Sequence, residues 1–163
     1  MPNLYNNFNF NQLTHPDFKE DSVREVLILP LLKELGYDNS TIVRSRTFTN
    51  PIVKIASGKR QLQQTPDYLL KVEDKYAWVL DAKAPNENIQ HGANVEQAFF
   101  YAIHPEVRTT FFALCNGKAF SLFRQNDSEP ILYFELADVE KYWENLSGFL
   151  SPHSFQTGKT FTY

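Results

Sequence analysis

The chain has 163 residues, of which 21% are charged and 15% aromatic, with a formal net charge of −3. That length supports one domain, expected over 1–163 with its core at about 18–149, and the composition excludes a disordered chain. No apolar run approaches the roughly 20 residues needed to cross a bilayer, and the single cysteine, Cys115, excludes an internal disulfide.

Residues 1–15 are Asn-rich, lack the charged-then-apolar layout of a signal peptide, and read as an irregular lead-in. A reducing cytoplasm is the expected setting. The first helix is expected to start between Asp17 and Ser22 and to run to Leu35, with Gly36 as its stop. Val23, Leu27, Leu31 and Leu35 recur at four-residue steps as its buried stripe, and Pro30 inside it predicts a kink. Ser22 with Glu25 forms one candidate capping box and Asp17 with Glu20 resembles another.

Thr41 to Phe48 alternates and is β-branched, as a first strand would be, and Ile52 to Ile55 suits a short extra strand. Between Thr41 and Pro66 stand five basic residues, Arg44, Arg46, Lys54, Lys59 and Arg60, and no acidic one. In an acidic chain this local stretch admits two readings, a solvated loop or a nucleic-acid contact through Arg44, Arg46, Lys59 and Arg60.

Tyr68–Val72 and Tyr76–Leu80 read as two strands of a hairpin around Glu73-Asp74-Lys75. A three-residue loop centred on Asp74 makes facing residue numbers sum to 148, which sets Asp67 opposite Asp81, with Lys83 on the same face. Two carboxylates this close repel unless a cation intervenes. Oxygen ligands with open water positions suit Mg²⁺; a surface salt-bridge cluster is the plainer alternative.

A second helix fits from about Ile89 or Ala93 to Ile103, ahead of Pro105. Asn94, Gln97, Tyr101 and His104 share one of its faces, and Gln97 and Tyr101 are placed to point at the carboxylate end of the hairpin. Thr109–Cys115 and Lys118–Arg124 flank Asn116-Gly117, a strong hairpin signal, and Ile131–Leu136 is a further strand. Asp138 is placed to cap a last helix reaching about Phe149, and 151–163 has no period. Helices and hairpins mixed in this order give an α/β domain with a mixed central sheet.

Pro66-Asp67 followed by Asp81-Ala82-Lys83, in the order helix, three strands, helix, strand, resembles the PD-(D/E)xK nuclease superfamily. Gln97-Ala98-Phe99-Phe100-Tyr101 matches the Gln-x-x-x-Tyr motif of some of its branches. Glu20-Asp21-Ser22-Val23-Arg24, Pro30 to Tyr37 and Cys115-Asn116-Gly117 make the chain similar to the N-terminal nuclease domain of type I restriction enzyme R subunits, over roughly Phe18 to Phe149.

The resemblance implies a restriction-endonuclease-like αβββαβ core and Mg²⁺-dependent endonuclease activity on DNA, with Mn²⁺ able to substitute. Asp67 and Asp81 would hold the metal, with the Ala82 carbonyl and Glu20 as further ligands; Glu25 is the fallback acid. Lys83 would orient the attacking water, and Gln97 and Tyr101 would position the nucleic acid or brace Lys83. It also implies other subunits or domains of a restriction or defence system as partners, with no membrane role. A domain that binds nucleic acid or a partner protein without cutting is the alternative. The chain departs from the pattern in having Asp81 where Glu is commoner and Cys115 where Thr is common. It has no G-x-x-x-x-G-K-[ST] loop, so this chain is not itself an ATP-driven translocating subunit.

Overall fold

The computed structural model describes residues 3–55 and 60–156, and within 49–55 and 60–64 the backbone alone. The first helix, α1, is continuous but changes pitch: α-helical over Glu20–Ser22, π-helical over Val23–Ile28 and α-helical again over Leu29–Leu35. Pro30 accounts for this in place of a simple kink. Its ring would clash with the preceding turn and it donates no hydrogen bond. The wider π turn, in which the Leu29 amide reaches Arg24, precedes it and relieves that crowding. Neither expected capping box forms. Lys19 is the N-cap, and Ser22 stands at the third helical position, where its hydroxyl accepts from the Lys19 amide at 3.4 Å. Gly36 ends the helix at φ 118°, as its missing Cβ permits.

Six strands form one mixed sheet: β1 Ile42–Arg44, β4 Tyr68–Val72, β5 Lys75–Ala82, β6 Phe111–Cys115, β7 Ala119–Arg124 and β8 Leu132–Glu135. Their spatial order is β1-β4-β5-β6-β7-β8, with only β5 and β6 parallel. That parallel step is bridged by the second helix, α2, Ala93–Ile103. The expected first strand ends early, because Ser45 takes φ 49° and turns the chain out of β1. A separate hairpin, β2 Phe48–Ile55 with β3 Arg60–Gln64, leaves the sheet there and returns to it before Asp67. Among the described residues five strands therefore precede α2, where three and the short extra strand at Ile52–Ile55, which falls within β2, were expected.

Period-two alternation sorts the side chains of β4 to β7 into two cores. Leu70, Trp78, Leu80, Ala113, Cys115 and Phe120 pack with α1 and with the last helix, α3, Val139–Leu150. Leu69, Val79, Phe112, Leu114 and Phe123 pack with α2 on the opposite face. Asp138 precedes α3 without a side-chain capping bond, its carboxylate lying 3.7 Å from Lys141 instead. The flanking regions are more ordered than expected: Phe10–Thr14 and Pro152–Phe155 form 3₁₀ turns. Leu13 is buried against the core, and the Tyr5 hydroxyl donates to the Leu27 carbonyl at 2.6 Å. Among the described residues no helix is long and apolar enough to cross a membrane.

Candidate functional site

The β4–β5 hairpin corrects one expectation and preserves its consequence. The turn has two residues, Glu73 and Asp74, both at positive φ (52° and 63°), the primed geometry that matches strand twist. Beside it, Val72 faces Lys75 and Lys71 faces Tyr76. A bulge then restores the expected register, so that Leu70 faces Trp78 and Tyr68 faces Leu80. One step further out, the Asp67 carboxylate accepts the Ala82 amide at 2.7 Å and comes within hydrogen-bonding reach of Asp81.

Asp81 is on the α2 face of β5, with 4% of its side chain exposed. Lys83 Nζ lies 2.9 Å from Asp81 Oδ2, and among the described residues this buried oxygen has no partner besides that ammonium. Burial, and then the hydrogen-bonding contact and charge of Asp67, push the Asp81 carboxyl well above the usual range, and the Lys83 ammonium offsets this only in part. Lys83 Nζ also donates to Gln97 Oε1 at 2.7 Å, so α2 fixes where the ammonium sits.

That helix is held in turn by the loop before it. Asn116 donates to the Glu87 carbonyl and Ser121 to the Ile89 carbonyl, tying the loop to β6–β7. Tyr101 is buried; its phenol is pushed up by burial first and then by the charges of Asp81, Asp67 and Glu20. Glu20, half-buried at the start of α1, is raised by burial, then by Asp67, with Lys83 and Arg24 opposing. The expected acids, Lys83, Gln97 and Tyr101 therefore meet at one end of the sheet, while Ala82 is fully buried between the two aspartates. Asn94 bonds back to Glu87 and Asn88, and His104 is buried with its ring 5.1 Å from Phe48, so neither joins them.

Arg24, assigned no role from sequence, is part of the cluster. It donates to Asp67 Oδ1 at 2.9 Å and to the Asp21 carboxylate. Its position four residues after Glu20 on one helical face was the available signal. The expected basic contacts divide. Arg44 lies opposite Tyr68, one residue from Asp67, and 4.0 Å from the Glu25 carboxylate. Arg46 stacks on Phe48 at 4.9 Å and donates to the Tyr76 hydroxyl. Tyr76 is five residues back along β5 from Asp81, roughly 17 Å at the rise of a strand, so Arg46 is drawn away from the acids. Lys59 and the side chain of Arg60 lie outside the described residues.

Among the described residues no three acid, imidazole or thiol groups converge closely enough to hold a metal ion by themselves. Two carboxylates within hydrogen-bonding reach of each other, one of them almost fully buried, still fit a hard divalent cation that keeps several waters. No family model matches the chain, and neither the curated proteins nor the solved structures contain a match to it.

Proposed function

We propose that this chain is a Mg²⁺-dependent endonuclease domain that hydrolyses DNA phosphodiester bonds, with a restriction-endonuclease-like core and a place in restriction or nucleic-acid defence. The observation that carries the reading is the pair of carboxylates: Asp81, almost fully buried, lies within hydrogen-bonding reach of Asp67, with the Lys83 ammonium 2.9 Å from Asp81 Oδ2. A structural ion pair at a strand end needs only one carboxylate, and a second one beside it adds repulsion that a bound cation would relieve. With the β2–β3 hairpin set aside, α1, β1, β4, β5, α2 and β6 follow in the order helix, three strands, helix, strand, which supports the core assignment.

Asp67 and Asp81 would hold the metal. Bound there, Mg²⁺ would supply a water of lowered pKa and neutralise phosphate charge. Lys83, braced by Gln97, orients the attacking water. Glu20 holds that water from the α1 side, and Tyr101 positions the nucleic acid. Plasmid nicking in Mg²⁺ or Mn²⁺ tests the reading: Asp67→Ala, Asp81→Ala and Lys83→Ala should each abolish it in folded protein. Equal cutting by wild type and all three variants would sink it. The expected partners are DNA and other subunits or domains of a restriction system.

One observation favours a second reading, a domain that binds nucleic acid or a partner without cutting. Arg24 and Lys83 already place a cation on each aspartate. Tight, salt-sensitive DNA binding with no cleavage under any divalent metal would select that reading.

A further inference from the structure

We propose that the groove beside Lys83, walled by Lys19 and Lys118, binds the phosphodiester backbone of duplex DNA; this rests on the nuclease reading and names how its substrate is held. The groove has a volume of about 390 Å³ and is lined by His15, Lys19, Ala84, Pro85, Asn86 and Lys118, with apolar and hydroxyl side chains of the N-terminal arm completing it. Among the described residues no carboxylate lines it, although the chain as a whole carries a net charge of −3. Asp17 stands 3.8 Å from the His15 ring.

Three chain segments build this groove, and each is tied to the acidic cluster. Lys19 is the N-cap of α1, immediately before Glu20. Ala84 and Pro85 continue directly from Lys83. Lys118 sits in the β6–β7 turn, and the Lys83 amide donates to the Cys115 carbonyl at 2.9 Å, which holds that turn against the end of β5. The turn itself is fixed: the Lys118 and Ala119 amides both donate to Asn116 Oδ1, and Gly117 at φ 88° lies against Leu13 of the arm. Both lysines are exposed and neither forms an ion pair among the described residues, unlike Arg24, Arg44, Lys83, Arg124 and Lys141. Two ammonium groups without ion pairs, lining a groove whose wall continues directly from Lys83, suit a strand of phosphates. Lysine binds phosphate as a point charge without reading sequence.

The test is equilibrium binding of a fluorescein-labelled duplex of about 20 base pairs to the full chain carrying Asp81→Asn, followed by anisotropy from 50 to 200 mM salt. The proposal expects Lys19→Glu with Lys118→Glu to weaken binding at least about tenfold at the low-salt end. It also expects the slope of log K against log salt to fall by about 1.8, two contacts at about 0.9 each. Lys19→Gln with Lys118→Gln should act in the same direction with less effect, and covers the case in which charge reversal impairs folding. Lys33→Glu with Lys141→Glu, away from the groove, should leave the slope unchanged. Binding that both groove pairs leave at the parent value overturns the groove, and so does a parent that binds no duplex. Groove-dependent binding with no cleavage by wild type in Mg²⁺ or Mn²⁺ supports the groove and removes the nuclease reading instead.

Discussion

Strand β5 carries two opposite solutions to burial within a few residues. At Trp78 the indole donates to the Tyr37 hydroxyl at 2.9 Å, and that hydroxyl donates to the Leu150 carbonyl at 2.6 Å, all in the dry core against α1 and α3. At Asp81 a carboxylate is buried almost as deeply, keeps an oxygen with no partner among the described residues besides the Lys83 ammonium, and faces a second carboxylate. Buried polar groups are normally paired, and an unpaired one costs about 1–3 kcal/mol. The first end is arranged for stability alone. The second tolerates a cost that makes sense if a ligand relieves it.

The largest expected effects separate the two ends by activity. Asp81→Ala or Lys83→Ala should lower metal-dependent nicking by at least about 10²-fold while circular dichroism stays native. Leu27→Ala should do the reverse. It removes a fully buried side chain from the α1 core and should cost about 2–5 kcal/mol in denaturant unfolding, with residual folded protein still active.

Acidity offers a finer separation. The folded-state pKa of Asp81 is raised to about 7 by burial and then by Asp67, with Lys83 opposing. Between its unfolded value near ~4 and that folded value, the native state binds more protons than the unfolded one. Stability of the metal-free protein should therefore fall as pH rises through that window, by roughly a few degrees in Tm. Asp81→Asn should flatten this decline, and an unchanged pH profile would contradict the assignment. Smallest of all, metal-free Asp81→Asn at pH 7 should melt at or slightly above wild type, because it removes a buried charge. Mg²⁺ should then raise the Tm of wild type only.

Much of this contrast was legible from spacing. Alternation along Tyr68–Leu80 identified the hairpin, and the facing of Asp67 and Asp81 followed from it. The route was wrong in detail, since a two-residue turn and a bulge together give the register that a three-residue loop was expected to give. Bulges leave no periodic signature when the extra residue is as small and neutral as Ala77, which faces no partner between Trp78 and Tyr76. The Gln97 link to Lys83 was legible because helical spacing fixes a face. The engagement of Asp67 by Arg24 was not, because it depends on how α1 crosses the sheet end, a tertiary distance that local pattern does not encode. Of the β2–β3 hairpin only the Ile52–Ile55 strand was legible, for a related reason: Ser45 leaves β1 at a positive φ that its side chain does not advertise. The capping failure at Ser22 was a matter of one competing neighbour, since the helix starts two residues earlier and turns the expected cap into an interior position.

The measurement closest to the central claim is cleavage of supercoiled, linear, single-stranded and branched DNA with Mg²⁺, beside an Asp81→Ala control of matched fold. The account predicts metal-dependent cutting of at least one of these by wild type and none by the control. Metal-independent cutting, or equal cutting by both proteins, would contradict it.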